Sequence, residues 1–118
     1  MKLTKHFTYS EMTRTDTGLS NPLTDEAKIH LVYLCRKLES VRQKFKLPIR
    51  INSAYRCPEV NKAVGGVTNS LHLVGRACDI NISSLNDSQR DTLYQLLDDT
   101  LPAELIIYPS RNYIHYAI

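Results

Sequence analysis

The stretch from Asn69 to Ile80, Asn-Ser-Leu-His-Leu-Val-Gly-Arg-Ala-Cys-Asp-Ile, constrains this chain more than any other. It sets a histidine, His72, and a carboxylate, Asp79, seven residues apart with Gly75 between them. Imidazole nitrogen and carboxylate oxygen both bind zinc at about 2.0–2.2 Å, and a catalytic zinc takes three protein ligands and keeps one position open. For His72 and Asp79 to share an ion, the loop bearing the first must fold back on the segment bearing the second. Gly75 permits that reversal, because a residue without Cβ takes positive φ at no steric cost. The candidate third ligand is His115, in the C-terminal Asn-Tyr-Ile-His-Tyr-Ala-Ile. The pattern alone also fits a histidine satisfied in a core beside an apolar strand, so both readings stand at this point.

Asp79 carries a separate argument. Residues 77–82 alternate, placing Ala77, Asp79 and Asn81 on one face of a strand and Cys78, Ile80 and Ile82 on the other. A carboxylate on an otherwise apolar strand is costly unless it is paired or metal-bound.

The flanking sequence supplies the frame. Residues 1–11 read as an extended lead-in, with Phe7 and Tyr9 alternating with polar neighbours, and residues 12–23 have loop composition. Thr24 or Asp25 can cap a long helix on which Ala27, Leu31, Leu34, Leu38, Val41 and Phe45 recur every three or four positions. His30 lies beside that stripe and reads as structural or exposed, not as a ligand. Pro48 ends the helix, and residues 49–53 alternate as a strand. Pro58 suits the first position of a short helix reaching about Val64, after which Gly65-Gly66 opens the loop presenting Ser70 and His72. Asn86 or Asp87 caps a helix over 88–99, and Pro102 precedes a hairpin whose turn is Pro109-Ser-Arg-Asn112. The expected fold is α+β in a single domain over residues 1–118: a small antiparallel sheet from residues 49–53, 77–82, 103–108 and 112–117, with a long N-terminal helix packed on it.

A hairpin turn centred on Ser110-Arg111 sets Ile106 opposite His115. Glu104 and Tyr108 then share the face of His115 as diagonal neighbours about 7–8 Å away, a gap that one water would bridge.

Charge and cysteines exclude several classes. The net charge of +3 is mild and its basic residues are spread along the chain, with no basic recognition helix or aromatic RNA-binding strand, so no nucleic-acid partner is expected. A weak attraction to an anionic polymer such as a cell wall fits the same charge. Cys35, Cys57 and Cys78 are odd in number and form no CxxC pair, which argues against a disulfide framework and a zinc–cysteine cluster. Cys35 and Cys78 read as core residues of a chain folding in a reducing cytoplasm. No apolar run long enough to span a membrane occurs, and the N-terminus lacks the hydrophobic stretch of a signal peptide. The expectation is a monomer without membrane insertion that stays cytoplasmic until released.

Four segments together resemble the D-alanyl-D-alanine carboxypeptidase family of zinc peptidases, whose relatives include dipeptidases and many phage endolysins. They are Ile51-Asn-Ser-Ala-Tyr-Arg-Cys-Pro-Glu-Val-Asn61, Val64-Gly-Gly-Val67, Ser70-Leu-His72 through Asp79, and Tyr113-Ile-His115. The family pattern is Ser-Gly-Tyr-Arg, Val-Asn, Gly-Gly, Ser-x-His-x-x-Gly-x-Ala-x-Asp and a late aromatic-x-His; here Ala54 stands where glycine is usual. Phe7 to Glu11 and Leu19 to Pro22 extend the likeness toward the N-terminus. The resemblance implies Zn2+ held by His72, Asp79 and His115, with Arg56, Ser70 and Tyr108 binding substrate. A guanidinium offers the planar fork that matches a carboxylate bidentately. The implied reaction is hydrolysis of D-Ala-containing bonds in the stem peptides of bacterial peptidoglycan, by a carboxypeptidase or an endolysin-type endopeptidase. A bare catalytic domain of this kind looks like a phage lysis enzyme acting on the cell wall.

The chain departs from the family at the catalytic acid. Relatives carry it three residues before the last histidine or near the turn on the preceding strand, where this chain has Asn112 and Tyr108. Glu104 is the only acidic residue of the hairpin and is the candidate general base, with Tyr108 or Glu59 as substitutes. The competing reading is a cell-wall or zinc-binding module of the same fold that turns over slowly or not at all.

Overall fold

The N-terminal residues depart from the extended lead-in that their alternation predicts. In the computed structural model, which describes residues 1–118, Lys2 bridges Thr8 and a one-turn helix, α1, follows at Tyr9–Met12. Thr8 caps it, its hydroxyl accepting from the Glu11 amide at 3.1 Å, and the turn sends both Phe7 and Met12 into the core. Helix capping and the burial of two large side chains outweigh a period-two pattern only a few residues long.

The long helix is therefore the second, not the N-terminal, one: α2, Asp25–Phe45, capped by Thr24 and ended by Lys46 in the left-handed conformation. Its buried stripe comprises Ala27, Leu31, Leu34, Cys35, Leu38, Val41 and Phe45. Each fully buried leucine contributes on the order of 1.5–3 kcal/mol. The remaining elements are β1 (Arg50–Ser53), α3 (Pro58–Ala63), a 3-10 turn at Leu71–Val74, β2 (Ala77–Asn81), α4 (Asp87–Asp98), β3 (Glu104–Tyr108), a second 3-10 turn at Pro109–Arg111 and β4 (Tyr113–Ala117). Asn86 is the cap of α4, in a reciprocal box with Gln89.

The four strands form one antiparallel sheet in the order β1-β2-β4-β3. The order places β4 beside β2, so the C-terminal strand lies in the middle of the sheet and β3 at its edge. Two consequences matter for chemistry. Asp79 is paired directly with His115, and Ile106 lies opposite His115 on the other side. A bulge between Ile51 and Ser53 brings Ser53 opposite Asp79.

The two faces of the sheet differ. Ile51, Cys78, Ile80, Ile114 and Tyr116 are buried and join α2 and α4 in one apolar cluster. The opposite face carries Asp79, Asn81, His115, Tyr113, Ile106, Tyr108 and Glu104, none of them buried. No helix is long and apolar enough to cross a membrane.

The loop bearing His72 is clamped onto α2. Gly75 ends the 3-10 turn with φ 75°, and a Cβ there would run into the carbonyl oxygen of Ala27. The His30 ring donates from Nδ1 to the carbonyl of Val74 at 2.9 Å, closing the same contact from the helix side. Gly18 has a similar φ of 77° but open space around it. Gly75→Ala is therefore expected to lose about 2 kcal/mol or more, clearly exceeding Gly18→Ala, which bears only the backbone cost of about 1–2 kcal/mol. Urea unfolding of the two variants checks this; equal losses would refute a close helix–loop approach.

Candidate metal centre

His72 reaches the centre of the polar face because two contacts to its backbone hold its turn. Ser70 caps the turn, accepting from the His72 amide at 3.2 Å, and the Arg56 amide donates to the His72 carbonyl at 3.0 Å. The ring is 3% exposed, with Nδ1 2.6 Å from the carbonyl oxygen of Ala54. A carbonyl can only accept, so Nδ1 carries the proton and Nε2 presents its lone pair. That nitrogen stands 3.4 Å from Asp79 Oδ1.

Asp79 is engaged on both oxygens. Oδ1 also faces His115 Nδ1 at 3.1 Å, while Oδ2 accepts from Arg56 Nη2 at 3.1 Å. Burial alone would raise its pKa, yet the hydrogen bond from His115 and the charge of Arg56 hold it well below the usual carboxylate range. The carboxylate is thus ionised across the working pH range. His115 is displaced the other way, chiefly by its hydrogen bond to Asp79, against the opposing effect of burial and with help from Glu104.

These three side chains offer donor atoms that all lie within 4.8 Å of one another. Donors on a tetrahedral ion at roughly 2.0–2.2 Å are about 3.3–3.6 Å apart, close to the two spacings that converge on Asp79. One imidazole has its lone pair set by a carbonyl, the carboxylate is charged, and the second imidazole lies across from the first at 5.4 Å between ring centres. The donor set fits zinc.

The other candidates have partners within the protein itself. Arg56, reserved for a substrate carboxylate, directs its whole guanidinium at the protein: Nη2 to Asp79, Nε to Ser53 Oγ at 3.1 Å and Nη1 toward Asn61 Oδ1 at 3.5 Å. It orients the carboxylate of the trio. Ser70 structures its own turn. Tyr108 is not drawn to the trio; its ring stacks on Tyr113 at 4.6 Å. Glu59 is exposed on the first turn of α3. Asn112 adopts the left-handed conformation in the hairpin turn and accepts from Arg90 Nη2 at 3.0 Å, tying the hairpin to α4. Glu104 shares the face of His115 as its register requires, but no gap for water separates them: Oε1 lies 2.9 Å from His115 Nε2. Its flexible side chain folds back across the diagonal, which a distance between backbone positions does not convey.

Two contributors lie in motifs that the sequence displays without showing their roles. The Ala54 carbonyl has no side-chain signature at all. Asn61, only 4% exposed, donates to the Val67 carbonyl at 2.9 Å and packs so closely on Gly66 that no Cβ fits there. Its signal was present in the Gly-Gly that follows it.

The peptidase M15 family model matches residues 5–117. A zinc D-Ala-D-Ala carboxypeptidase of Streptomyces albus G is 30% identical over 82 residues, covering 67% of this chain. The match spans only 32% of that enzyme's length.

Protein purified without added metal is expected to carry about one zinc per chain by elemental analysis, and His72→Ala, Asp79→Ala and His115→Ala to lose it. Zinc retained in all three variants would exclude this centre. A second expectation concerns the chelated protein. Because the folded state raises the pKa of His115, its stabilisation is full below the unfolded value of about 6.5 and is lost as pH rises through the higher folded value. Asp79 acts oppositely, contributing above the unfolded value of about 3.9 and losing its contribution only as acid approaches the depressed one. Melting temperatures in chelator are thus expected to decline above about pH 6.5, and the decline to vanish in His115→Ala.

Proposed function

The chain belongs to the peptidase M15 family, and from that premise we propose that it is a zinc peptidase hydrolysing D-Ala-containing bonds in the stem peptides of bacterial peptidoglycan. The observation that carries this reading is the convergence of His72 Nε2, Asp79 Oδ1 and His115 Nδ1 on one point of an open sheet face. The relative's own substrate, a D-Ala-D-Ala terminus by its name, supports the choice of bond.

Zinc bound there supplies Lewis acidity toward a scissile carbonyl and toward water. The protein's part is to present and protect the ligands. The Ala54 carbonyl fixes the tautomer of His72, and Arg56 keeps Asp79 charged and aimed. The face beyond His115 offers room for an extended peptide: Ile106 is 45% exposed, and the stacked pair Tyr108 and Tyr113 lies further along the same two strands. An open strip of this kind accommodates a free C-terminus or a cross-linked chain, so the proposal includes both the carboxypeptidase and the endolysin-type endopeptidase.

One observation favours a second reading, a zinc-bearing module that binds wall peptides with little turnover. The family's positions for the acid hold Asn112 and Tyr108, and Glu104 is bonded to His115 rather than free. Incubation with a peptide ending in D-Ala-D-Ala and with cross-linked muropeptides separates the two. The peptidase reading expects released D-Ala or cleaved cross-links, abolished by chelator and reduced at least 100-fold in His115→Ala, on the order of the contribution of a catalytic group. Tight peptide binding without any product would establish the module instead.

A further inference from the structure

We propose that Glu104 is a positioning residue that fixes the proton and orientation of His115, and not the group that moves protons during hydrolysis. The proposal rests on the metal-site reading above. Its basis is the hydrogen bond between Glu104 Oε1 and His115 Nε2 at 2.9 Å, read together with the side of the ring on which that nitrogen lies.

His115 faces the centre with Nδ1, which stands 3.1 Å from the same Asp79 oxygen that His72 Nε2 approaches. An imidazole that gives one nitrogen to a metal carries its proton on the other, and that N–H needs an acceptor. His72 uses the Ala54 carbonyl for this purpose. His115 is the mirror case: its outward nitrogen is Nε2, and the acceptor there is the Glu104 carboxylate. The two histidines thus enter the site by opposite nitrogens, each with its remaining N–H anchored, one on the backbone and one on a side chain.

Position argues against proton transfer. Glu104 is not among the groups whose donor atoms converge with His72, Asp79 and His115, and it contacts the trio through the nitrogen of His115 that points away from the centre. It stands on β3, the edge strand, opposite Ala117, with its side chain 48% exposed. From the edge it reaches inward across the diagonal to brace a ligand on β4. A carboxylate in that place also makes the imidazole a stronger donor to a metal. The sequence position is accounted for as well: β3 needs an acceptor two residues from Ile106, and a carboxylate or an amide oxygen would serve.

The test is the zinc affinity of the whole protein, measured by competition with a chromophoric chelator, for wild type, Glu104→Gln and Glu104→Leu. Hydrolysis by the zinc-loaded proteins is followed in parallel. The amide oxygen of Glu104→Gln still accepts from Nε2–H, so its affinity and its turnover are expected to stay within a few-fold of wild type. Glu104→Leu removes the acceptor and is expected to weaken zinc binding by about 10–100-fold. Leucine at this exposed edge position should leave the fold intact, which circular dichroism verifies. Glu104→Leu binding zinc as tightly as wild type overturns the proposal and leaves the metal site standing. Glu104→Gln that binds zinc normally but loses turnover 100-fold also overturns it, and makes Glu104 the general base. Wild-type protein that takes up no zinc overturns the metal-site reading and the proposal with it.

Discussion

The charge of Asp79 is the constraint around which the rest of this structure is arranged. A carboxylate on a mostly buried strand is unfavourable unless its oxygens are satisfied. Here each has a donor, His115 on Oδ1 and Arg56 on Oδ2, with His72 Nε2 3.4 Å from Oδ1. Those partners arrive from three separate parts of the chain. His115 is brought by strand pairing, His72 by a one-turn loop, and Arg56 by the exit from β1. Each is held in turn by something else, namely Glu104, the Ala54 carbonyl, and Ser53 with Asn61. The polar network is therefore layered, and its outer layer consists largely of groups that have no chemistry of their own.

The apolar architecture exists to keep that network in place. β2 and β4 present Cys78, Ile80, Ile114 and Tyr116 to the helices, which leaves Asp79 and His115 on the opposite face by the simple alternation of a strand. The helix α2 does more than cover the sheet. Through Ala27 against Gly75, and His30 on Val74, it presses on the loop that carries His72. A small protein with one core thus couples the packing of its longest helix to the position of a ligand some forty residues away in sequence.

The polar face is otherwise left open. Edge strand β3 carries an exposed Ile106 and a half-buried Tyr108, and no element of the chain covers them. Such a surface suits the extended peptide of the proposed function, lying along the strands above the candidate metal ligands. The three cysteines take no part in it; all are buried, and burial pushes the Cys35 thiol up to about 12.

How much of this was legible beforehand follows from the range of each signal. Strand alternation, proline and glycine punctuation and the leucine stripe of α2 are local, and they located the four strands, the long helix and the hairpin register that sets Ile106 opposite His115. The spacing of His72, Gly75 and Asp79 likewise pointed to residues that the fold does bring together. A single turn such as α1 was missed because four residues are too few for a period to show, and burial of Phe7 and Met12 decided it. The roles of Arg56, Tyr108 and Glu104 were beyond sequence reasoning for another reason. Long side chains end several ångströms from their backbone, and where they end depends on which partner the fold supplies: an ionised Asp79 captured Arg56, a neighbouring ring took Tyr108, and the outward nitrogen of His115 drew in Glu104. The sequence by itself determined which residues sit on which face and in what order; only the tertiary structure decided which nitrogen of each histidine faces the centre, because that choice is made by acceptors distant in sequence, the Ala54 carbonyl just after β1 and Glu104 on β3.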